Sequence, residues 1–297
     1  MQRLLIIGCG DVVRRALPQL QKRWHLYALV RRRDPELAAF GVTQYIGNLD
    51  NARTLQQLCG IAQAVIHSAP PQDSGRRDRR THRLIDVLQV RRSLLQRLVY
   101  ISTTGVYGDC QGAQIDETRA LAPRNARARR RVDAEQQLRR FGASRRCCVS
   151  ILRAPGIYAA DRIPLDRLRK GLPLLARNDD VFTNHIHAED LAAACVAALQ
   201  RRGSSRAFNV CDDSDIRMGD WYDKLADGFA LPRAPRLPRS EVEKALPPMQ
   251  LSFMRESRRI SNARMKRELK LRLRYPTVDD GIRDALRRRE RSTHVVG

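Results

Sequence analysis

The amino-acid sequence predicts an α/β fold that is built on a doubly wound parallel sheet. Short apolar runs alternate with segments of helical spacing through the first half of the 297-residue chain, and a glycine-rich turn joins the first run to the first helix. Apolar strands that are separated by helices are typical of a parallel sheet covered on both faces. Hydrophobic residues make up 42% of the chain, which excludes a disordered protein.

The strands are predicted where short apolar runs stand between polar or glycine-rich turns. These runs are 3–8, 25–31, 43–47, 64–69, 97–102, 149–153 and 206–211. Apolar residues at helical spacing predict helices over 12–22, 81–95, 127–141, 189–199, 219–230 and 261–269. Pro18 must bend or shorten the first of these helices, because proline lacks the amide N–H that a helix interior uses.

The regular alternation ends near residue 155, and prolines punctuate much of the remaining chain. A chain of this length has a prior expectation of about two domains. We therefore predict a Rossmann domain over 1–155, to which 183–212 returns. A smaller, interleaved domain that binds the substrate is predicted mainly over 156–297.

The net charge is +24, and arginine supplies most of the 56 basic residues. These arginines are spread along the chain, whereas a nucleic-acid-binding arm would gather them in one block. Aromatic residues are only 5% of the chain, and single-strand binders interleave aromatics with basic residues. We expect no nucleic-acid partner beyond nonspecific attraction by charge, although the field favours phosphates. The expected partner is a small-molecule substrate, and the sequence does not indicate the oligomeric state.

The seven cysteines include no C-x-x-C pair, which suits a reducing compartment. The N-terminal apolar run is too short for a signal peptide. No apolar run approaches the roughly 20 residues that a membrane span requires. These observations predict a cytoplasmic protein without a membrane partner.

A glycine-rich turn follows the first predicted strand and opens the first predicted helix. Glycine there lets backbone N–H groups approach a pyrophosphate, and a helix N-terminus favours negative charge. A tight turn without a ligand is the alternative interpretation. We expect a dinucleotide cofactor bound by six consecutive residues, which are Gly8, Cys9, Gly10, Asp11, Val12 and Val13.

Two residues of this turn raise specific questions. Val13 stands where glycine or alanine would allow close packing of helix and strand, so it must push the helix outward or fill a local gap. Cys9 could be a redox-active thiol, because a helix N-terminus lowers thiol pKa. We favour the simpler interpretation that Cys9 is a small residue fitting a tight turn.

The second predicted strand ends in arginines, where an NAD site would place an acidic residue. Arginine can clamp a 2′-phosphate, so Arg31 and Arg32 favour NADP over NAD. Asp50 follows the third strand and is expected to reach the adenine. The residues after the fourth strand should border the nicotinamide side of the cleft; they are Ser68, Ala69 and Pro70.

Four segments together resemble the extended short-chain dehydrogenase/reductase family, which includes nucleotide-sugar epimerases and dehydratases. They are ISTTGVYG at 101–108, RAPGIY at 153–158, NHIHAEDL at 184–191 and FNV at 208–210. The form GCGD at 8–11, with SAPP at 68–71 and RISNARMKREL at 259–269, is most similar to an atypical branch of bacterial NAD(P)-dependent oxidoreductases. The resemblance implies a Rossmann fold, a nicotinamide cofactor and a role for Pro155 at the cofactor.

The resemblance also implies catalytic positions on the fifth strand and on the helix that follows it. The family's catalytic Ser or Thr matches Thr103, and its pocket-shaping tyrosine matches Tyr107. The family's Tyr-x-x-x-Lys pair stands eight and four residues before a Glu. Counted from Glu135, these positions hold Arg127 and Arg131.

Arginine at these two positions changes the possible chemistry. Arg127 stays protonated, so it cannot exchange the proton that accompanies hydride transfer. It can polarise a carbonyl or bind an anionic substrate, and Arg131 can hydrogen-bond a ribose or a phosphate. Arg129 and Arg130 should be solvated. The sequence therefore leaves two functions open: an oxidoreductase or epimerase-like enzyme, and a non-catalytic NADP(H)-binding sensor or interaction protein.

Three histidines are candidate metal ligands. His185 and His187 would lie on one side of a strand, but a metal site needs further ligands. We prefer a structural role for both, with Asp190 expected to cap the following helix. His67 lies in an apolar strand and is expected to be a core or cleft histidine.

Overall fold

The computed structural model describes residues 1–89 and 95–294 and confirms the doubly wound α/β fold. Its strands are β1 (Gln2–Ile7), β2 (Trp24–Val30), β3 (Thr43–Ile46), β4 (Ala64–His67), β5 (Arg97–Thr103), β6 (Gln114–Ile115), β7 (Cys148–Ala154), β8 (Gly156–Tyr158), β9 (Leu174–Leu175), β10 (Phe182–Thr183), β11 (His185–His187), β12 (Arg206–Asn209), β13 (Ile216–Arg217), β14 (Arg236–Leu237) and β15 (Arg259–Ile260).

The helices alternate with the long strands in the first half of the chain and then become more frequent. They are α1 (Asp11–Leu20), α2 (Pro35–Ala39), α3 (Arg79–Leu88), α4 (Ala126–Arg145), α5 (Leu165–Arg169), α6 (Ala188–Gln200), α7 (Met218–Gly228), α8 (Arg239–Ala245), α9 (Pro248–Met254), α10 (Ala263–Leu269) and α11 (Val278–His294).

Within the described residues, seven strands form one parallel sheet in the order β12-β7-β5-β4-β1-β2-β3. The chain runs outward from β1 through β2 to β3 and then continues on the other side of β1 with β4. The strand order therefore reverses between β1 and β4. Ligands of open α/β sheets bind at such a reversal, outside the carboxyl ends of the strands.

The two faces of the sheet carry separate hydrophobic cores, as a doubly wound fold requires. Leu4 and Ile6 of β1 pack with buried residues of α1 and α6. Leu5 and Ile7, the alternate residues of the same strand, pack with buried residues of α3 and α4. This alternation follows from the two-residue period of a strand, and it explains why the predicted strands are apolar at nearly every position.

Several element boundaries differ from those predicted. The strand predicted over 64–69 ends at His67, because the N–H groups of Ser68 and Ala69 both turn back to the Ile7 carbonyl. Helix α1 tolerates Pro18 and ends two residues later. Helix α3 begins at Arg79, since the Asp78 side chain accepts a hydrogen bond from the Thr81 N–H. The predicted end of this helix, over 90–94, lies outside the described residues.

A third hydrophobic cluster joins buried residues between 158 and 286, including Trp221, Leu225, Val242 and Ile282. This part of the chain also contains short two-stranded sheets, in which β9 pairs with β14 and β10 pairs with β13. The strand β12 lies in the main sheet beside β7. The division into two domains at residue 155 stays a prediction. Across 1–89 and 95–294, no helix combines the length and apolar character that crossing a bilayer demands.

Candidate cofactor and catalytic site

The turn between β1 and α1 has the backbone that a phosphate-binding loop needs. Gly8 adopts φ +88°, and a Cβ there would lie 2.5 Å from the Ala69 nitrogen. Only glycine meets both conditions without strain. Gly10 is the N-cap of α1, and a Cβ on it would meet no atom within 4 Å. Open space thus faces the unpaired N–H groups of the first helical turn, where a pyrophosphate would fit.

The side chains that follow Gly10 point away from this space. Val12 and Val13 are buried in the core that α1 shares with α6, whose contributions to that core include four alanines. The small alanine side chains leave room for Val13, which therefore fills a local gap. The Asp11 carboxylate pairs with Arg15 at 2.8 Å and with Arg162 at 2.8 Å. The side chains of Asp11, Val12 and Val13 are therefore all engaged within the protein. Only the backbone groups of Val12 and Val13 remain to contact a cofactor.

The Cys9 thiol is unsuited to redox chemistry. Burial is the main cause that raises the pKa of Cys9 to about 11, and the nearby Arg14 offsets this only in part. The thiol is therefore protonated at neutral pH, and the thiolate is the reactive form. The geometry favours the interpretation of Cys9 as a small residue in a tight turn.

A cavity of about 470 Å³ opens beside this turn at the carboxyl ends of β1, β2 and β4. Arg31 and Arg32 line it together with Arg14, Asp34 and Arg80. Arg14 donates to the Cys9 carbonyl at 3.2 Å and pairs with the Asp34 carboxylate. Four arginines therefore face one carboxylate, so this cavity is electropositive.

Most of the remaining predicted cofactor residues lie on the same cavity. Gly8, Cys9, Gly10, Ser68, Ala69 and Pro70 line it. Ser68 anchors the two loops because its hydroxyl donates to the Gly8 carbonyl. Asp50 is held in an ion pair with Arg80 at 2.5 Å, and its neighbours Asn48 and Leu49 line the cavity. Sequence reasoning missed Arg14, Asn48 and Arg80, whose positions depend on the turns after β1, β3 and β4.

The first turn of α4 lies against the end of β5. A Cβ on Gly105 would be 3.6 Å from the Thr103 hydroxyl oxygen and 3.9 Å from the Ala128 methyl group. The Thr103 oxygen accepts a hydrogen bond from the Gly105 N–H at 3.2 Å, which leaves its own O–H free to donate. The structure therefore brings Thr103 next to the N-terminus of the helix that carries Arg127 and Arg131.

The two arginines of this helix have different environments. Arg127 is exposed, and no hydrogen-bond or ion-pair partner is found for its side chain in 1–89 and 95–294. Desolvation, followed by the charges of Arg131 and Arg130, lowers the pKa of Arg127. Arg131 is buried, and its Nη1 donates to the Tyr100 hydroxyl at 2.9 Å and to the Ile101 carbonyl at 2.8 Å. Arg127 is thus accessible to a ligand, whereas Arg131 is anchored to β5.

Tyr107 is buried in a small hydrophobic cluster. Its hydroxyl donates to the Asn209 side-chain oxygen at 2.7 Å and accepts from Arg153 at 2.8 Å. Burial is the main cause that raises the pKa of Tyr107 to about 12. Both hydrogen-bonding capacities of its hydroxyl are thus used within the fold, and the catalytic or pocket-shaping role of Tyr107 stays a prediction.

A buried ion pair fixes α4 on the sheet. The Arg153 Nη2 lies 2.7 Å from a Glu135 carboxylate oxygen, and both side chains are at most 3% exposed. Ser102 of β5 donates to the same carboxylate at 2.6 Å. Removing one partner of such a pair costs about 3–5 kcal/mol, because a buried charge remains. Glu135 and Arg153 therefore hold α4 in register with β5 and β7.

The geometry described above agrees with comparisons to known proteins. The model of the NAD dependent epimerase/dehydratase family matches residues 9–211, which is more than half of the chain. The chain belongs to this family. Family membership confirms the resemblance to epimerases and dehydratases, and an NAD-dependent family agrees with a nicotinamide cofactor.

Three relatives illustrate the range of the similarity. The chain is 27% identical to Protein YeeZ of Escherichia coli K12 over 56% of this chain, and the match spans 58% of that relative's length. A functionally unknown conserved protein from Silicibacter pomeroyi DSS is 29% identical, with TM-score 0.81 over 98% of this chain and 100% of that one. A short-chain dehydrogenase/reductase superfamily protein from Agrobacterium tumefaciens, with bound NAD, is 18% identical, with TM-score 0.78 over 98% of each chain.

One arginine of the family's catalytic helix departs from expectation. Arg129 is exposed as predicted, but Arg130 is only 6% exposed, so the expectation that it is solvated is wrong. Its Nη1 donates to the Gly75 carbonyl at 2.9 Å, in the loop between β4 and α3. That loop covers a second side of α4, and the sequence spacing of one helix does not show such a tertiary contact.

The histidine segment of the family is part of a buried aromatic cluster. The ring centroids of His185 and Trp221 are 4.5 Å apart, and those of His187 and Tyr275 are 3.7 Å apart. His187 caps α6, since its Nδ1 accepts from the Glu189 N–H. The expectation that Asp190 caps this helix is therefore wrong.

The Asp190 carboxylate instead binds a distant backbone segment. It accepts hydrogen bonds from the N–H groups of Arg274 at 2.8 Å and Tyr275 at 2.9 Å, and so ties the chain before α11 to α6. His67 lies in the core, with its Nε2 at 2.9 Å from the Thr81 hydroxyl. Over 1–89 and 95–294, no group of three or more His, Cys, Asp or Glu side chains is placed to hold a metal ion.

Proposed function

We propose that this chain binds NADP(H) in the cavity at the glycine turn and interconverts a small polar or sugar-like carbonyl and alcohol. One observation carries the proposal: the Gly8 turn, with φ +88°, and the open N-terminus of α1 face an electropositive cavity of about 470 Å³. Such a combination suits a dinucleotide with an additional phosphate. The nicotinamide would supply the chemistry of hydride transfer.

The cavity's charges support NADP over NAD. An NAD site usually offers a free carboxylate to the ribose hydroxyls. Here Asp34 is engaged twice, because it pairs with Arg14 and accepts the Glu36 N–H at 3.0 Å. Arg31 and Arg32 line the cavity and are exposed. They are therefore available to clamp a 2′-phosphate.

Replacing both cavity arginines, as Arg31→Ser with Arg32→Ser, is expected to weaken NADPH binding at least about tenfold and to leave NADH binding within about twofold. Charge-assisted contacts to a phosphate contribute about 1.5–3 kcal/mol, and NADH lacks that phosphate. Parallel titrations of the two cofactors by calorimetry measure the change. Arg33→Ser is the matched control, because Arg33 is an adjacent exposed arginine outside the cavity lining. Equal losses for both cofactors would contradict the NADP assignment.

Thr103 and Arg127 are the residues proposed to act on the substrate. The Thr103 O–H can donate to a substrate oxygen, and the Arg127 guanidinium can stabilise negative charge that develops there. Arg131 is proposed to position the helix, because it spans from α4 to the Ile101 carbonyl of β5. Pro155 follows β7 directly and is proposed to border the nicotinamide.

A non-catalytic NADP(H)-binding sensor or interaction protein is the second candidate. One observation favours it: the Tyr100 and Tyr107 hydroxyls near this region are buried, and burial is the main cause that raises the pKa of each to about 12. Neither hydroxyl can exchange a proton readily at neutral pH. Arg127 cannot do so either.

Turnover of a carbonyl panel with NADPH separates the two candidates. The enzyme proposal predicts NADPH oxidation by wild type on at least one substrate, with a large loss in Thr103→Val. The sensor proposal predicts that wild type binds NADPH but turns over no substrate. Activity that appears only when Arg127→Tyr is combined with Arg131→Lys would support the sensor, because that variant restores the family's proton-transfer pair.

A further inference from the structure

One face of α4 begins as a row of arginines. Arg127, Arg130 and Arg131 are spaced three and four residues apart, so they share one helix face. Ala134 and Leu138 continue this face into the core. We call these three arginines the arginine face. It begins exposed at Arg127, in the first turn of α4, and becomes buried within one turn.

Among the residues that the structure describes, no carboxylate forms an ion pair with an arginine of this face. The first turn of α4 contains no acidic residue, although acidic residues are favoured at helix N-termini. Glu135, one turn further along, is occupied by Arg153 and Ser102. Desolvation is the main cause that lowers the pKa of Arg127, and the charges of Arg131 and Arg130 lower it further. Like charges held together are costly unless an anion joins them.

Two donors on the face also lack partners. The Nε atoms of Arg130 and Arg131 are buried without a hydrogen-bond partner among the described residues, and the two side chains are 6% and 7% exposed. An unmade hydrogen bond on a buried charged group costs more than one on a neutral group. Most buried polar groups are satisfied, so these two guanidinium N–H groups are exceptions within the described residues.

We propose that the arginine face binds an oxyanion of the substrate, a carboxylate or a phosphoryl group close to the reacting carbon. Guanidinium groups bind both kinds of oxyanion through paired hydrogen bonds. Arg127 supplies the accessible contact, and Arg130 and Arg131 supply charge from beneath it. This inference rests on the proposed function, since it narrows the substrate of the same site from polar carbonyls to anionic ones.

The test is a calorimetric titration of the full chain, saturated with NADP⁺, at moderate salt. The probes are inorganic phosphate for a phosphoryl group, oxamate for a carboxylate beside a carbonyl, and oxamide as the uncharged analogue of oxamate. Saturating cofactor blocks the glycine turn, which would otherwise bind phosphate. We expect at least one oxyanion to bind and oxamide not to bind.

Variants of α4 locate the binding site. Arg127→Gln should raise the dissociation constant of the bound oxyanion at least tenfold, and Arg127→Lys should raise it less. Arg129→Gln is the matched control on the exposed side of the same helix, where the Arg129 side chain donates a hydrogen bond to the Arg124 carbonyl. It should leave the constant unchanged. Equal effects of Arg127→Gln and Arg129→Gln, binding of oxamide as tight as oxamate, or no oxyanion binding would overturn the inference.

The outcome remains separable from that of the proposed function. If NADP⁺ does not bind, the proposed function fails, and the oxyanions are titrated into the cofactor-free chain. Binding that Arg127→Gln then weakens and Arg129→Gln does not would keep the oxyanion site. If NADP⁺ binds and neutral carbonyls are turned over but no oxyanion binds, the proposed function stands and the oxyanion site is wrong.

Discussion

Lowering the pH from 7 to 5 is expected to remove about 2 kcal/mol of folding stability for each of three buried histidines. His67, His185 and His187 are at most 6% exposed. Burial lowers the pKa of His67 and His185 to about 3 and that of His187 to about 4. The folded protein keeps them neutral, whereas the unfolded chain protonates them below about pH 6.5. Their contribution is therefore fully present above pH 6.5 and is lost as pH falls.

Buried carboxyl groups act in the opposite direction over this range. Burial raises the pKa of Asp212 to about 8, so the folded chain holds a proton that the unfolded chain releases above about pH 4. Asp212 therefore contributes more stability at pH 5 than at pH 7, by about 3 kcal/mol. Burial also raises the pKa of Asp180 and Asp190. Total stability combines both trends, so the histidine contribution is measured as a difference between variants.

The measurement is urea unfolding at pH 7 and pH 5 for wild type, His185→Phe and His25→Gln. Phenylalanine keeps an aromatic ring beside Trp221 but cannot titrate. The loss of unfolding free energy between the two pH values should be about 2 kcal/mol smaller in His185→Phe than in wild type. His25 is exposed, so His25→Gln should match wild type. A wild-type pH dependence in His185→Phe would show that His185 is not buried in the neutral form.

Gly8→Ala is expected to weaken NADPH binding at least about a hundredfold and to destabilise the fold. The new Cβ would lie 2.5 Å from the Ala69 nitrogen, and the backbone has φ +88°. The left-handed conformation alone costs a non-glycine residue about 1–2 kcal/mol. Relief of the contact must move β1 away from the loop after β4, and both line the cofactor cavity. NADPH titration and thermal unfolding of the same variant measure the two effects.

Two other glycines separate these effects. Gly60→Ala places an alanine at φ +67°, and its methyl group meets no atom within 4 Å. Gly60 does not line the cofactor cavity. This variant should therefore reduce stability without changing NADPH affinity. Gly10→Ala meets no protein atom within 4 Å and should leave the fold intact. It should weaken NADPH binding, because its methyl group occupies the space in front of α1. An NADPH affinity unchanged in both Gly8→Ala and Gly10→Ala would place the cofactor elsewhere.

The fold was predictable from the sequence because its main signals are local. A buried parallel strand is apolar along its whole length, and a glycine turn between strand and helix is visible in a few residues. The seven predicted strands all appear in the central sheet, with differences only at their ends. The sequence also predicts that Gly8, Gly10, Arg31 and Ser68 lie close together, because the carboxyl ends of parallel strands meet at the same edge of a sheet.

The parts that the sequence did not predict depend on tertiary contacts. The sequence predicts that Arg130 is solvated, but the loop that contains Gly75 covers it in the structure. Tyr107 resembles a pocket residue, but Arg153 and Asn209 reach it from β7 and β12, far along the chain. Asp190 has the sequence position of a helix cap, yet the N–H groups of Arg274 and Tyr275 occupy its carboxylate. In each case the partner lies more than 40 residues away.

Calorimetric titration of the wild-type chain with NADPH and NADH, at low and at moderate salt, tests the central claim most directly. The excess of arginine attracts any polyanion at low salt, so the comparison between salt concentrations separates a built site from diffuse attraction. A built site predicts stoichiometric NADPH binding that persists at moderate salt, exceeds NADH binding and is lost in Gly8→Ala. Binding of neither cofactor, or NADPH binding that disappears with salt and ignores Gly8→Ala, would contradict it.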